Sequence, residues 1–439
     1  MRRDLQPARP RVWTFNKIHD LTYVSQIKGA DVTRAILAGI RILDFGRYIA
    51  APYCASLLGA LGAEVIRIEP PEGNDDRFVM PVSPDVGAMH LHVNRNKSSL
   101  PIDLRHPRAT EVTHRLVRQA DVVIANMVPE TLAKVGLDYD ALRRLKGDII
   151  LTNITAYGVS GPQRDSIGFD GTGQAMSGAI HLSGWENQPF RAAVSYVDYG
   201  TALASAFATL AAIHEHSRSG RGQEVQTSLL STALTMMNPI LIEEATGQRS
   251  RAPIGNRSPI AGPSDIFATT DGWIIVQVIG QIMFERWIKI VGATHLRDDP
   301  RFRDDISRGE HGAVLSAFMT QWCHARSSAS CLETLRSARI PCGPVLSPAE
   351  ALLEPQNREN GFLLWEEDAD LGSLLPFFQP FRLAGAPPQG SPAPSLGGGA
   401  RDVLRSAGFS DAEIDDLRAA GVIQTAPDPS AGCRTARVA

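Results

Sequence analysis

An aspartate stands at the start of a helical pattern that is built from small residues. Asp198 follows Ser195-Tyr196-Val197 and precedes Gly200, and the pattern runs over residues 201–214. A carboxylate at a helix N-terminus faces unpaired backbone N–H groups and the positive end of the helix dipole, so we expect it to stay ionised near neutral pH. With glycine beside it to leave room for an approaching group, such a carboxylate is suited to act as a covalent nucleophile. The alternative is a plain N-cap, the commoner use of aspartate at a helix start.

A second aspartate, Asp170, follows Gly168-Phe169 at another predicted helix start. Capping of its own helix is the expected use, and support of a reacting group is the alternative. Upstream, residues 157–162 (Tyr-Gly-Val-Ser-Gly-Pro) follow a predicted strand. Ligands of parallel sheets bind at the carboxyl ends of the strands, so this loop is a candidate wall of a site.

Strands and helices alternate over the first 155 residues. Apolar runs at 41–45, 64–69, 121–125 and 148–154 predict strands, and helical patterns at 50–61, 109–119 and 139–145 lie between them. This alternation predicts an α/β fold with a parallel, doubly wound sheet. No Gly-x-Gly-x-x-Gly follows the first strand, so the dinucleotide-binding fingerprint is absent.

The pattern changes near residue 255, where glycine and proline interrupt the chain up to position 263. A hairpin-like pair at 265–278 and helices at 283–291 and 312–325 predict a smaller α+β domain over 255–340. A turn-like segment at 340–345 returns the chain to the first domain, residues 386–400 are predicted to be a surface linker, and a short helix follows at 411–420. The predicted organisation is an N-terminal extension (1–37), a large α/β domain (38–240 and 345–425), the small domain (255–340) and a tail (426–439).

The composition is typical of a globular protein. The 439 residues are 43% hydrophobic and 21% charged, with a formal net charge of −3. This length predicts two or three folding units, and the near-neutral charge gives no reason to expect nucleic acid as a partner. No apolar run is long enough to cross a bilayer. The five cysteines (54, 323, 331, 342 and 433) have no metal-ligand spacing and predict reduced thiols in a cytoplasmic protein without a metal site.

Several short stretches together resemble the family III CoA-transferases, the group that includes formyl-CoA transferase and carnitine CoA-transferase. The matching stretches are Leu43-Asp44-Phe45, Ala50-Ala51-Pro52, residues 61–69, Asn94-Arg95-Asn96-Lys97-Ser98, residues 120–123, residues 157–162, Asp198, Gly220-Arg221-Gly222-Gln223 and residues 340–345. They keep the family's order from about residue 38 to 425. The resemblance implies a homodimer of two interlocked, ring-like protomers, each with a large Rossmann-like domain built from both chain ends and a small domain from the middle.

The resemblance also implies roles for single residues. Asp198, which lies 25 residues before Gln223, falls on the family's catalytic aspartate. The positions that contact CoA in formyl-CoA transferase fall on Ile49, Ala50, Asp103, Leu104, Arg105, Asn126, Met127, Val128, Lys134, Val135, Ser166, Ile167, Gly168 and Phe169. A helix start and basic side chains suit phosphates, and the apolar members suit adenine and pantetheine. For Arg105, Lys134 and Lys97 the alternative is a solvated surface charge.

The sequence departs from the family pattern at three places. Pro70 replaces a basic residue near the nucleotide, which leaves Arg67, Arg77 and Arg95 as candidates for the phosphates. The family's Gly-Glu-His-Thr element reads Gly-Gly-Gly-Ala at 397–400. The glycine loop that shields the intermediate has no clear match, and the nearest candidates are Gly255, Gly262 and Gly280.

The implied activity is the transfer of CoA from an acyl-CoA to a free carboxylic acid through an aspartyl anhydride and an aspartyl-CoA thioester, with no tightly bound cofactor. The first alternative is a 2-methylacyl-CoA racemase, which needs a histidine where this chain has Phe169; phenylalanine cannot carry a proton, and His214 and His216 lie several helical turns beyond Asp198. The second alternative is a family member that binds acyl-CoA without turnover. The identity of the acid stays open, with Trp185, Arg191, Tyr196 and Arg257 as unranked contacts.

Overall fold

The computed structural model describes residues 35–368, 371–377, 380–381 and 390–426. The predicted extension at 1–37 lies outside these residues up to position 34, and the predicted tail lies outside them from position 427, together with Cys433. No helix in the described ranges is long and apolar enough to cross a membrane.

Thirteen strands and seventeen α-helices are present in the described residues. The strands are β1 (Arg41–Asp44), β2 (Glu64–Glu69), β3 (Lys97–Pro101), β4 (Val122–Ala125), β5 (Ile150–Thr155), β6 (Gly184–Trp185), β7 (Gln188–Pro189), β8 (Glu224–Ser228), β9 (Ser264–Ala268), β10 (Trp273–Gln277), β11 (Cys342–Pro344), β12 (Leu364–Asp368) and β13 (Ser373–Phe377). The helices are α1 (Ala50–Gly59), α2 (Ala88–Val93), α3 (Ala109–Gln119), α4 (Pro129–Lys134), α5 (Tyr139–Leu145), α6 (Asp170–Met176), α7 (Ala179–Leu182), α8 (Tyr196–Ser219), α9 (Leu229–Ala245), α10 (Gln281–Ile290), α11 (Asp305–Glu310), α12 (Gly312–His324), α13 (Ser328–Ser337), α14 (Pro348–Ala351), α15 (Pro355–Glu359), α16 (Ala400–Ser406) and α17 (Asp411–Ala419). Short 3-10 turns occur at Asp75–Phe78, Thr294–Asp298 and Pro300–Phe302.

Six strands form one sheet in the order β3-β2-β1-β4-β5-β8, and every neighbouring pair is parallel. The chain builds outward from β1 to β3 and then returns to the other side of β1 to add β4, β5 and β8. Because the strand order reverses between β1 and β4, a crevice is expected outside the carboxyl ends of these two strands. The predicted α/β class and parallel sheet are confirmed.

The two faces of this sheet are covered by different helices. Alternate residues of each strand point to opposite faces, as Ile42 and Leu43 do on β1. One face packs against α3, α5, α16 and α17, and the other packs against α1, α8 and α9. Because α16 and α17 come from the end of the chain, both chain ends contribute to the core around one sheet.

A third core lies around the antiparallel strands β9, β10 and β11. Phe284, Trp287 and Phe302 are fully buried there among side chains of α10, α12 and α13. The prediction of a simple turn at 340–345 was incomplete, because its residues Cys342–Pro344 pair with β10. This strand could not be predicted from its residues, because proline and glycine are unusual within strands.

The C-terminal segment packs directly against β3. The Ser99 amide donates to Gly398 O (2.8 Å), and the Gly397 amide donates to Ser99 Oγ (3.0 Å). Ile102 and Ile423 form an isolated bridge beyond the strand. The prediction of a surface linker at 386–400 was therefore wrong for Gly397 and Ala400, which are buried, while 386–389 lie outside the described residues.

Helix α8 begins at Tyr196, five residues before the predicted start at 201. Asp198 consequently lies inside the first turn of the helix and not ahead of it. Gly200, which we expected to leave open space beside the nucleophile, packs against α9, where an added Cβ would lie 2.4 Å from Met236 Cε.

Candidate active site

Asp198 lies near the start of α8 with 9% of its surface exposed. No hydrogen bond to its carboxylate is found among the described residues, and its side chain does not cap the helix. Its own backbone amide donates to Asp170 (3.3 Å). The plain N-cap alternative for Asp198 therefore does not describe its position.

Asp170 caps the helix that carries Asp198. Asp170 Oδ1 accepts from the Val197 amide (2.8 Å) as well as from the Asp198 amide, although it belongs to the first turn of α6. Its other oxygen accepts from Gln174 Nε2. Capping was predicted for Asp170, but at its own helix; the structure places this function at α8.

The two aspartates interact electrostatically. Burial and, next, the negative charge of Asp170 raise the pKa of Asp198 from 3.8 to about 7. The expectation that the helix N-terminus keeps Asp198 ionised near neutral pH was wrong in degree, because desolvation and a like charge outweigh the dipole here. Near pH 7 the side chain is divided between the acid and a comparatively basic carboxylate.

The turn between β1 and α1 lies at the reversal point of the sheet. Tyr48 has a φ of 61°, in the left-handed region, and its amide donates to Asp76 Oδ2 (2.6 Å). Arg47 is held through its backbone, because its amide donates to Asn126 Oδ1 (2.9 Å) and its carbonyl accepts from Asn126 Nδ2 (2.8 Å). The loops after β1 and β4 are thus joined where the crevice is expected.

A buried ionic cluster lies beneath this turn. The Arg67 guanidinium contacts Asp76 Oδ1 (2.7 Å) and Glu69, and Arg77 contacts Glu69 Oε1 (2.6 Å). Lys97 Nζ lies 2.7 Å from Asp44 Oδ2, and the other oxygen of Asp44 accepts from the Gly46 amide. Buried charges need partners, and these partners fix two amides of the turn.

The cluster accounts for several shifted pKa values. Burial opposes the charged form of Glu69, but Arg67 and Arg77 outweigh it and lower its pKa to about 2. Burial, and then the positive charges of Arg77 and Arg67, lower the pKa of His90 to about 3. Burial lowers the pKa of Lys97 to about 8 against the attraction of Asp44.

The first group of predicted CoA contacts lies at the reversal point. Ile49 and Ala50 are both buried, and the Ile49 carbonyl accepts from the Tyr53 amide within α1. Ile49 occupies the N-cap position of α1 and supplies no side-chain cap. Asn126 holds the β1–α1 turn, Met127 packs against the core and Val128 precedes α4.

A second group lies beyond β3 and on α4. Asp103 accepts from Arg105 Nε (3.0 Å), the Arg105 side chain is exposed, and Leu104 is partly exposed. Lys134 is exposed and pairs with Glu130 (2.7 Å). Lys134 and Val135 line a cavity of about 280 Å³ together with Thr110, Thr113 and His114. No hydrogen bond or ring contact in the described ranges joins this second group to Asp198.

A third group, residues 166–169, contacts the β1–α1 turn through Phe169 and directly precedes Asp170. The Phe169 ring, which is 52% exposed, meets the Tyr48 ring edge-on at a centroid distance of 5.3 Å. Ile167 is 81% exposed, and Ser166 is exposed as well. Gly168 packs so closely that an added Cβ would lie 2.8 Å from Ala156 Cβ. The residue after Phe169 is Asp170, so these side chains lie beside the capped end of α8.

The three candidate phosphate-binding arginines are engaged elsewhere. Arg67 and Arg77 are buried in the ionic cluster, and Arg95 pairs with Glu366 (2.6 Å) while its guanidinium lies 4.1 Å from the Phe377 ring centroid. The expectation for Arg67 and Arg77 was wrong, because a fully paired, buried guanidinium does not reach a nucleotide. The alternative that Lys97 is a solvated surface charge was also wrong, because its side chain is buried and paired with Asp44.

Of the three candidate glycines, one packs against the segment between α7 and α8. Gly255 donates to Gly184 O (2.6 Å) and packs against Trp185, whose ring meets Phe190. Gly262 and Gly280 instead lie at the third core, where Gly280 donates to the Asp305 carboxylate. His216 lies 3.1 Å from Asp148 at the far end of α8, as its sequence position predicted.

Sequence reasoning missed Tyr48, Asp76 and Gln174. The spacing of Asp170 and Gln174, four residues apart on one helix, was a usable signal for a side-chain pair. Nothing in the sequence marks Tyr48 for a left-handed conformation. No group of three or more histidine, cysteine, aspartate or glutamate side chains in the described part of the chain could hold a metal ion.

Comparison with known proteins decides the family. The sequence profile of CoA-transferase family III matches residues 37–399. The chain belongs to CoA-transferase family III. Among curated relatives, a succinate–glutarate CoA-transferase of Agrobacterium fabrum is 32% identical over 77% of this chain and 87% of its own length. A succinyl-CoA–D-citramalate CoA-transferase of Chloroflexus aurantiacus is 31% identical over 77% of this chain and 85% of its own length.

Solved structures of the family have the same fold. A CaiB/BaiF family protein from Brucella suis superposes with a TM-score of 0.74 at 27% identity, over 85% of this chain and all of that one. The protein Rv3272 from Mycobacterium tuberculosis gives a TM-score of 0.72 at 26% identity, over 84% of this chain and 98% of its own. This family III protein is therefore an enzyme that transfers CoA between acyl-CoA and carboxylic acids.

Proposed function

We propose that Asp198 is the covalent nucleophile of this CoA-transferase. An Asp198 oxygen attacks the thioester carbonyl of the donor, a C–O bond replaces the C–S bond, and CoA leaves as the thiolate. The thiolate then attacks the Asp198 carbonyl, releases the donor acid as a carboxylate and leaves an aspartyl-CoA thioester. The acceptor carboxylate displaces CoA from Asp198, and the thiolate attacks the acyl carbon of the new anhydride, which releases product and restores Asp198.

The position of Asp198 carries this proposal. Its carboxylate has no hydrogen-bond partner in the described residues, and it lies beside the exposed residues 166–169 that adjoin the β1–α1 turn. A pKa of about 7 gives a more basic oxygen than an ordinary aspartate has, while leaving roughly half of it ionised at neutral pH. Each step exchanges one activated acyl group for another, so positioning and water exclusion are the main tasks of the protein.

The same groups suit CoA. The N-terminus of α1 has no side-chain cap, so its first backbone amides are suited to an anionic or carbonyl oxygen. Arg105 and Lys134 supply exposed cations near the second group of contacts, and the cavity beside Lys134 has room for part of the nucleotide. We propose that Ile167 and Phe169 cover the pantetheine arm.

The names of the relatives suggest the class of acid. Those of Agrobacterium fabrum and Chloroflexus aurantiacus are named for succinate, glutarate and citramalate. We therefore propose succinyl-CoA as donor and a dicarboxylic acid as acceptor.

We also propose a homodimer of interlocked protomers, with a large domain at 38–240 and 345–425 and a small one at 255–340. Helices α8 and α9 expose Leu203, Phe207, Met236 and Ile242, and Phe207 is 77% exposed in the isolated chain. An apolar surface of this kind on helices that also carry the catalytic residue supports burial by a second copy.

Replacement of the nucleophile tests the proposed chemistry. We expect Asp198→Ala to abolish CoA exchange, by at least about 10³-fold, while CoA binding changes little, because the side chain acts on the thioester and not on the nucleotide. Exchange is followed by mass spectrometry from succinyl-CoA onto a panel of mono- and dicarboxylic acids, and hydroxylamine traps the wild-type acyl adduct on Asp198. Normal turnover by the variant would refute the assignment.

Two controls separate the alternatives. Asp165→Asn removes an exposed carboxylate from the neighbouring loop and should leave exchange unchanged. Incorporation of deuterium at the α-carbon of a 2-methylacyl-CoA, without transfer of CoA to an acid, would identify a racemase. Binding of CoA without a trapped adduct and without CoA transfer would identify a binding protein.

A further inference from the structure

The carboxylate of Asp170 is surrounded by hydrogen-bond donors. The residue is 5% exposed, and its two oxygens accept three hydrogen bonds, from the Val197 amide (2.8 Å), the Asp198 amide (3.3 Å) and Gln174 Nε2. A carboxylic acid would present an O–H to one of these donors. The ionised form is therefore the one that satisfies the arrangement.

Gln174 fixes the direction of this arrangement. Its Oε1 accepts from the Ala192 amide (3.1 Å), which leaves Nε2 to donate to Asp170. A chain of hydrogen bonds thus runs from the segment before α8, through Gln174, to Asp170 and then to the first turn of α8. Gln174 is itself fully buried, so water cannot replace either bond without rearrangement.

We propose that Asp170 is a positioning residue for the reaction of Asp198. It holds the first turn of α8 in place and sets its negative charge beside the proposed nucleophile, and Gln174 keeps the Asp170 carboxylate oriented. This inference rests on the proposed function of Asp198. Acylation turns the Asp198 carboxylate into an uncharged anhydride, so the repulsion between the two aspartates is present before the step and absent after it. A repulsion that disappears along the reaction lowers the barrier to acyl transfer.

Other titratable groups surround the pair at greater remove. The Asp170 charge also raises the pKa of Tyr196, after the larger effect of burial, and Tyr199 meets Tyr53 of α1 edge-on at 5.2 Å. Tyr196 and Tyr199 lie on α8 itself. Tyr199 is in ring contact with Tyr53 of α1 and with His92 of α2, and the Arg191 Cδ lies near Gly171 on α6. Helix α9 packs here through Thr232 and Met236. Asp170 is the charged group that acts on Asp198.

A double variant separates the hydrogen bonds from the charge. In Asp170→Asn, the new NH₂ group faces Gln174 Nε2, so two donors oppose each other and the chain breaks. In the variant that combines Asp170→Asn with Gln174→Glu, the new carboxylate accepts from the new side-chain amide at position 170 and from the Ala192 amide. Every hydrogen bond can then be kept while the charge moves from position 170 to position 174. Asp165→Asn is the matched control. It removes the charge of a carboxylate that lies in the segment before α6, is exposed and is paired with Arg164.

The pH dependence distinguishes positioning from charge. The first measurement is the rate of acyl-adduct formation on Asp198, followed in single turnovers as a function of pH. The second is the labelling of Asp198 in the free enzyme by a water-soluble carbodiimide, detected by mass spectrometry. This reagent needs the protonated acid. For wild type and Asp165→Asn we expect both profiles to have a midpoint near 7, because burial and Asp170 raise the pKa of Asp198 to that value. We expect Asp170→Asn alone to lower the rate of adduct formation by at least about tenfold. We expect the double variant to regain most of this rate at high pH. Its midpoints should lie about one pH unit lower than those of wild type, because the like charge is farther from Asp198.

Three outcomes would overturn the inference: unchanged midpoints in the double variant, a single variant as fast as wild type, or a correctly folded double variant that recovers no rate. Circular dichroism and thermal unfolding establish folding for each variant. Failure of the proposed function is recognised separately, because wild type then forms no adduct at Asp198 at any pH. The carbodiimide profile still tests the effect of the Asp170 charge in that case.

Discussion

Asp198 is held where its charged form is unfavourable. Burial is the larger cause of its raised pKa and Asp170 is the smaller one, and no hydrogen bond within the described residues compensates. A carboxylate in bulk water would be stabilised by solvent and would react slowly with a thioester. A buried carboxylate without a compensating hydrogen bond is expected to lower stability, as reactive groups commonly do.

Removal of the charge should therefore stabilise the fold. A carboxyl group whose folded pKa of about 7 exceeds its unfolded value of 3.8 favours folding only at low pH, and this contribution is lost as pH rises through 7. We expect Asp198→Asn to raise the free energy of unfolding at pH 8 by roughly 2 to 4 kcal/mol and to have a diminishing effect as pH falls towards 4. Urea denaturation at several pH values measures this difference. Equal stability of variant and wild type at pH 8 would show that Asp198 is well solvated.

The sequence was informative about the proposed nucleophile and less so about its surroundings. Asp198 was recognisable because its helix pattern and its distance to Gln223 follow the primary structure. The raised pKa of Asp198 could not be predicted, because Asp170 comes from another helix and only the folded chain brings the two aspartates together. Tyr48 was missed for a similar reason, since its backbone conformation depends on a bond to Asp76, 28 residues away.

Among the elements, the β1–α1 turn depends in part on a buried side chain, that of Asp76. Asp76 joins the Tyr48 amide to the buried Arg67 guanidinium, so the same carboxylate supports both the turn and the ionic cluster. Apolar strands such as β1 and β2 were predictable, because a strand buried on both faces reads as an apolar run. The outer strands β3 and β8 were missed because polar residues interrupt the apolar run in each.

Asp76 and its neighbour Asp75 provide a matched pair of substitutions. We expect Asp76→Asn to lower the free energy of unfolding by about 3 to 5 kcal/mol, because it leaves the Arg67 charge buried with one partner fewer. Asp75→Asn removes an exposed partner of Arg47 and should change stability by no more than about 0.5 kcal/mol. Denaturant titration compares the two, and a raised KM for acyl-CoA in Asp76→Asn would report the loosened turn. Similar stabilities for the two variants would contradict a supporting role for the cluster.

For the whole molecule, the apolar surface of α8 and α9 is the proposed site of contact between two copies. We expect Phe207→Asp to prevent formation of the proposed dimer, since an interface that buries this ring would have to bury an unpaired charge. Ile282→Asp, at a similarly exposed apolar residue on α10, is the control and should not alter the mass. Light scattering coupled to gel filtration gives the mass of each variant. A wild-type monomer, or a dimer that survives Phe207→Asp, would contradict the assignment of this surface.

The contact between residues 397–399 and β3 has a consequence for synthesis on the ribosome. Strand β3 is complete after 101 residues, yet its outer edge stays uncovered until almost 300 more have been translated. At about 5 to 20 residues per second, a nascent chain carries an open strand edge for roughly 15 to 60 seconds. During that interval the unfinished polypeptide is an attractive substrate for chaperones, and premature termination anywhere before α16 leaves the first half of the sheet without its closing partner.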